Sequence, residues 1–399
     1  MPDERHKPKL TAHADPAAPS RRLLKKLPSL SEAFKPTWFL PTGHLQTIMT
    51  HSLNIAPRRV VHYHRQLLQL SDGGTVSLDW ASHTSHEHAK DLAAILAEDT
   101  TPTISYIQLT AKCCLCAGFR VVVMNARGCA KTPVTTSKLV CPAFTADVKE
   151  VVAHLRENYV PAPTLLVGIG YSLGANILLK YVGEMGTACP LSAAISLANP
   201  YDLETTTAHL ATSWWHRQIY NKALTSGLVK LIFKKARFLI HIRKSNRLSN
   251  AHNVLTSDTR VNLKLLAKAR VLNDFDVHYS CPIFGFATPR DIYKEASSSK
   301  CMQFIAVHCN SHIASIAIPT LCLSALDDPI CPHTAIPYAE CAANPNVLLA
   351  VTKHGGHLGY YTRSSLDTWY IKAIVQFAKA VKPTSPDDIE IVLTPKVKV

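Results

Sequence analysis

The five residues Gly170-Tyr-Ser-Leu-Gly174 constrain this chain more than any other stretch, because of what flanks them. Leu165-Leu-Val-Gly-Ile169 before them reads as a buried strand, and Asn176-Ile-Leu-Leu-Lys-Tyr-Val182 after them reads as a helix. A strand that turns into a helix within so few residues leaves no room for side chains beside the central serine, so glycines bracket it. Such a turn holds the Ser172 hydroxyl above the C-terminal edge of a sheet. There the N-terminal end of the helix favours a developing negative charge, and the Leu173 N–H is the candidate oxyanion donor.

The neighbouring segments supply the sheet. Phe119-Arg-Val-Val-Val-Met124 is a β-branched run that ends in the turn-like Asn125-Ala-Arg-Gly128. Val148, Val151, Val152, Leu155 and Tyr159 follow at helical spacing behind Thr145 and Asp147, which suit a helix start. Thr320-Leu-Cys-Leu-Ser324 and Val347-Leu-Leu-Ala-Val351 repeat the strand signal, and Leu366, Trp369, Tyr370, Ile374 and Phe377 mark a closing amphipathic helix. This alternation predicts an α/β fold, a mainly parallel sheet with helices on both faces. The rhythm fails over about 201–315, where Trp214-Trp215 and a basic helical stretch from Lys230 to Arg247 predict an inserted helical cap. Residues 1–34 are expected to be a disordered basic tail, 35–381 the folded body and 382–399 a second tail.

A serine hydroxyl is a weak nucleophile at neutral pH and needs a base held by an acid. Both residue types follow in chain order. Leu323-Ser-Ala-Leu-Asp-Asp-Pro329 places two carboxylates just after a strand, and Lys353-His-Gly-Gly-His-Leu-Gly359 places two histidines on a glycine-rich loop after the next strand. His357 is preferred to His354 because glycines on both sides let a loop bring its imidazole close. Asp328 is preferred to Asp327 because it opens the turn Asp328 to Pro332, though both carboxylates stay candidates.

Other signals point to simpler roles. Cys113-Cys-Leu-Cys116 lacks a second ligand pair at zinc spacing and reads as buried thiols on a helix, while His83, His86 and His88 read as a solvated loop. No metal and no organic cofactor is therefore expected. Forty-three Lys and Arg against 28 Asp and Glu leave a formal charge of +15, which favours anionic partners such as phospholipid headgroups or the phosphates of an acyl thioester. No recognised binding fold accompanies that charge, so nucleic acid is not an expected partner. The N-terminal stretch lacks a signal-peptide core, and no run reaches about 18 uninterrupted apolar residues. The expected location is the cytoplasm, with any contact with membranes or lipid droplets peripheral.

Taken together, these motifs resemble the α/β-hydrolase family of yeast medium-chain fatty-acid ethyl ester synthase/esterases, bacterial YheT-like esterases and animal phospholipase-type relatives. The resemblance covers roughly 35–381. It rests on Trp38-Phe-Leu-Pro-Thr-Gly-His-Leu-Gln-Thr47, Asp72-Gly-Gly-Thr-Val-Ser-Leu-Asp-Trp80, Asn125-Ala-Arg-Gly-Cys129, the serine turn and Ser324-Ala-Leu-Asp-Asp-Pro329. It implies a Ser172–Asp328–His357 triad and an enzyme that hydrolyses or forms fatty-acyl esters through an acyl-enzyme. One stretch departs from the family: where relatives carry a glycine-rich PGLTG-type segment, Leu92 to Pro102 contains no glycine. The alternative expectation is a weak or inactive relative that binds lipid or protein on the same scaffold.

Overall fold

The computed structural model describes residues 6–52, 61–82, 105–241, 254, 258–299, 311–362, 367–381 and 389–394. The glycine-free stretch Leu92–Pro102, the three histidines His83, His86 and His88, and the basic residues Arg243, Lys244 and Arg247 lie outside them.

The strands that form the main sheet are β1 (Lys9–Thr11), β2 (His62–Gln69), β3 (Thr75–Ser82), β4 (Arg120–Asn125), β5 (Leu165–Tyr171), β6 (Ala193–Leu197), β7 (Thr320–Ala325), β8 (Val347–Thr352) and β9 (Ile389–Thr394). Their order across the sheet is β1-β8-β7-β6-β5-β9-β4-β3-β2. From β8 to β4 every neighbour is parallel, and antiparallel partners close both sides, β1 on β8 at one edge and the β3–β2 hairpin on β4 at the other.

The longer helices are α1 (Pro19–Leu24), α2 (Gly43–Ser52), α3 (Ser105–Cys116), α4 (Ala146–Asn158), α5 (Leu173–Met185), α6 (Leu203–Thr212), α7 (Lys222–His241), α8 (Pro289–Ala296) and α9 (Tyr370–Ala380). They cover the sheet on both faces because its strands are apolar on both. Successive strand residues point to opposite sides, so Val121 and Val123 of β4 pack in one core with Ile107 of α3 and Ile374 and Phe377 of α9. Val122 and Met124 pack in the other with Val148, Val151 and Leu155 of α4 and Leu178 and Val182 of α5.

Two buried ion-pair networks explain motifs that apolar periodicity leaves out. The Arg127 guanidinium donates to both carboxylate oxygens of Asp147, at 2.9 and 2.6 Å, and to both of Asp72, each at 2.9 Å. Asp72 belongs to the turn between β2 and β3, where Gly73 adopts a φ of +80° that favours glycine. The fully buried Asp79 on β3 accepts from Arg65 at 2.6 Å through each oxygen and from the Asn125 amide at 2.7 Å. A buried carboxylate needs such partners to remain in the fold at all.

Both ends of the chain enter the sheet, against the expectation of two tails. Lys9–Thr11 pairs with Val351–Leu349, and Leu23, Leu27, Leu30 and Phe34 join the core under α9. Their apolar side chains, spaced along a short basic stretch, have a face of the sheet to cover. At the other end, β9 inserts between β4 and β5, with Ile391 opposite both Val121 and Val167. The alternating Ile389-Glu-Ile-Val-Leu-Thr394 is strand-forming, and the slot offers it hydrogen-bonding partners on both sides.

Over 201–315 the described residues hold helices and no strand. They include α6, α7, α8 and shorter turns of helix, with a core of their own built from Ile232, Leu266, Phe275, Tyr279 and Ile283 against Val134 and Leu139. Among the described residues no helix is long and apolar enough to cross a membrane. Cys113, Cys114 and Cys116 lie along α3 as expected, but only Cys114 is buried and Cys116 is exposed.

Candidate active site

Ser172 stands between the last residue of β5 and the first of α5, with φ +52° and ψ −124°. That conformation is uncommon for a residue with a side chain, and the surroundings enforce it. The Ser172 N–H donates to the Leu197 carbonyl at 2.9 Å, and the Ser172 carbonyl accepts from Ala175 N–H at 2.9 Å. Gly170 is required here, because a Cβ on it would sit 2.5 Å from Ala175 Cα and 2.7 Å from the Gly174 carbonyl oxygen. Leu173 opens the helix, so its N–H has no intrahelical acceptor.

His357 and Asp328 arrive from the ends of β8 and β7. The Asp328 carboxylate is fixed at one oxygen, Oδ1, by the N–H groups of Ile330 and Cys331 at 2.8 and 2.9 Å. Its other oxygen, Oδ2, lies 2.8 Å from His357 Nδ1, and His357 Nε2 lies 2.7 Å from Ser172 Oγ. The three side chains predicted from chain order thus meet in one line of hydrogen bonds. The His357 ring has no exposure, and the Asp328 carboxyl almost none.

Asp327, the other candidate, is not idle. It accepts the Gly356 N–H at 2.9 Å and lies 3.2 Å from His354 Nδ1. Each carboxylate therefore takes one histidine of the Lys353–Gly359 loop, and only Asp328 faces the one that reaches Ser172. The loop itself needs its glycines: Gly356 has φ +58°, and a Cβ there would lie 2.3 Å from the Gly43 carbonyl oxygen.

Helix α2, known from the sequence only as a resembling motif, turns out to clamp this loop. Thr47 Oγ1 accepts the His357 N–H at 2.8 Å and donates to the Gly43 carbonyl at 2.7 Å. Gln46, fully buried, accepts the Tyr361 N–H at 2.7 Å and donates to the Leu40 carbonyl at 2.9 Å. Sequence reasoning had no means to give Thr47 or Gln46 a role, since the loop they hold lies about 310 residues away in the chain.

A second group of imidazoles was also missed. His44 of α2 lies 2.6 Å from the Tyr220 hydroxyl, and the His209 and His216 ring centroids are 4.4 Å apart. Burial holds the pKa of both His209 and His216 below the usual histidine value, and the nearby Asp328 charge partly offsets this at His209. These rings join α2 to the segment from His209 to Tyr220, which carries Trp214 and Trp215, 60% and 62% exposed. Leu45 and Ile48 of α2 and Leu326 beside Asp327 are also exposed.

The donor set around Ser172 can take a proton from the hydroxyl, hold it on an imidazole and stabilise the resulting imidazolium. Comparison with known proteins agrees with the fold. Residues 102–364 match the family described as the alpha/beta hydrolase fold. The embryogenesis-associated protein EMB8 of Picea glauca is 33% identical over 352 residues, which are 85% of this chain and 70% of that protein. Phospholipase ABHD3 of Homo sapiens is 29% identical over 372 residues, covering 91% of this chain and 82% of its own. The medium-chain fatty acid ethyl ester synthase/esterase 2 of Saccharomyces cerevisiae is 26% identical over 411 residues, covering 88% and 87%. With two thirds of its length matched and the strand–serine–helix turn at the centre of its sheet, this chain belongs to the α/β-hydrolase fold family.

Proposed function

We propose that this protein is a serine carboxylesterase that cleaves fatty-acyl esters, and transfers the acyl group where an alcohol replaces water. The observation that carries this reading is the continuous line from Ser172 Oγ through His357 to Asp328, at 2.7 and 2.8 Å. His357 removes the Ser172 proton as the oxygen attacks an ester or thioester carbonyl. Asp328 orients the ring and balances the imidazolium charge, and the Leu173 N–H stabilises the oxyanion. Collapse of that intermediate returns the proton to the leaving alcohol or thiol and leaves an acyl group on Ser172. Water or a second alcohol, activated by His357 in turn, then releases it. No metal or organic cofactor takes part in these steps.

The described helices of 201–315 act in this proposal as a cap over the site, and the exposed Trp214, Trp215, Leu45 and Ile48 offer apolar surface to an acyl chain or to the lipid that carries it. A preference for medium acyl chains is supported by the resemblance and by the name of the yeast relative. The test is fluorophosphonate labelling of purified wild type beside Ser172→Ala, followed by hydrolysis of p-nitrophenyl esters of increasing chain length. Labelling that vanishes in the variant, with turnover peaking at a medium acyl length, is the expected result. A folded wild type that takes no label would remove the enzyme from consideration and leave a binding protein on the same scaffold.

A further inference from the structure

Cys331 lies against the two residues that serve Ser172, and nothing in the mechanism above uses its thiol. Its Sγ is 3.7 Å from His357 Nδ1 and 3.4 Å from the Ala198 carbonyl, to which it donates. One ligand atom each from Asp328, Cys331 and His357 fall within 4.8 Å of one another, and all three residues are buried. We propose that Asp328, Cys331 and His357 form a site for a thiophilic divalent cation, Zn²⁺ being the probe, and that its occupancy switches off the hydrolysis proposed above.

The spacing fits such an ion. With Zn–S near 2.3 Å and Zn–N near 2.0 Å, a tetrahedral angle separates sulfur from nitrogen by about 3.5 Å, within a few tenths of the 3.7 Å between Cys331 Sγ and His357 Nδ1. The carboxylate oxygen, 2.8 Å from Nδ1, needs to retreat by about half an ångström to become the third ligand. Sulfur, imidazole nitrogen and carboxylate oxygen are all ligands that zinc takes. The second carboxylate oxygen stays on the N–H groups of Ile330 and Cys331, so the ligand is held from behind.

The protons balance. Binding releases the Cys331 thiol proton to solvent as the metal–sulfur bond forms. The neutral His357 keeps one proton, but the metal on Nδ1 confines it to Nε2. That nitrogen then donates to Ser172 Oγ rather than accepting from it, and the base is lost. Ion binding and catalysis therefore exclude each other at one ring.

This inhibition rests on the serine-esterase reading, so the experiment measures binding apart from activity. Full-length wild type, Cys331→Ser and Cys331→Ala are titrated with Co²⁺, whose thiolate charge-transfer absorption reports a metal–sulfur bond. Zn²⁺ inhibition of p-nitrophenyl ester hydrolysis, and its reversal by chelator, is measured on the same preparations. The expected result is one equivalent of charge-transfer intensity in wild type that both variants lack. With each variant's inhibition measured against its own zinc-free turnover, the half-inhibitory Zn²⁺ concentration of both rises at least tenfold. Equal charge-transfer intensity, or equal zinc inhibition, in wild type and Cys331→Ala overturns the site. A Cys331-dependent cobalt band in a protein that takes no fluorophosphonate supports the site while overturning the esterase reading.

Discussion

The hydroxyl of Thr47 accepts the backbone N–H of His357 at 2.8 Å, joining a helix near the start of the chain to the loop that faces Ser172 near its end. Both groups are buried. Thr47→Val keeps the shape but leaves that N–H without an acceptor, at a cost of about 1–3 kcal/mol. The loop relaxes to recover it, and the ring drifts from Ser172. We expect kcat to fall about tenfold with KM unchanged, and Thr47→Ser to restore it, as read by steady-state ester hydrolysis.

The adjacent carboxylates are separable. Asp328→Asn turns an amide NH₂ toward His357 Nδ1 and forces the wrong tautomer, so kcat is expected to drop on the order of 10⁴-fold. Asp327→Asn still accepts the Gly356 N–H, and its kcat stays within about threefold of wild type. Equal losses in the two variants would mean that the line of hydrogen bonds through Asp328 is not the one that works.

The buried Asp276 predicts a pH dependence of stability. Burial raises its carboxyl to about 6, offset in part by hydrogen bonds from the Ser280 and Tyr293 hydroxyls. The folded state thus holds its proton more tightly than the unfolded chain. The contribution to stability is full below the unfolded value near 4 and is lost as pH rises through about 6. Asp276→Asn removes that slope, so urea midpoints at pH 5 and pH 7.5 should differ less in the variant than in wild type. The difference between those two pH values is on the order of 1 kcal/mol, because pH 5 already lies inside the window between the unfolded and folded values. Identical pH profiles in the two proteins would contradict the raised carboxyl.

The last strand makes a backbone prediction. β9 is paired on both sides, so Val392→Pro removes a ladder donor from the middle of the sheet. A loss of about 1–3 kcal/mol in urea unfolding is expected from the carbonyl left without its donor. Were 389–394 not seated between β4 and β5, the substitution would leave the midpoint where it was.

The central strands and helices were legible because they are buried on both faces and carry long apolar runs, as in Arg120–Asn125 and Leu165–Tyr171. Others were not. Ala193–Leu197 is a fully buried strand in which Ala193, Ala194 and Ser196 are small, and a Cβ on neighbouring Gly168 would lie 3.0 Å from Leu178 and Leu191, so close packing more than an apolar run defines that region. Lys9–Thr11 and Ile389–Thr394 are short and lie in basic or Pro-rich surroundings that resemble tails. They become strands only because β8, β4 and β5 offer unpaired backbone.

At the site the division is similar. The serine turn, the acid and the histidine could be named from chain order, since each sits at a strand end and its local glycines or turn residues betray the geometry. The sequence by itself determined the strand–helix alternation, the residue types that could do chemistry and their order. Only the tertiary structure decided which of Asp327 and Asp328 faces His357, that Thr47 holds the histidine loop, and that Cys331 lies beside both. Those choices depend on distances between segments tens to hundreds of residues apart, which local propensity and periodicity do not encode.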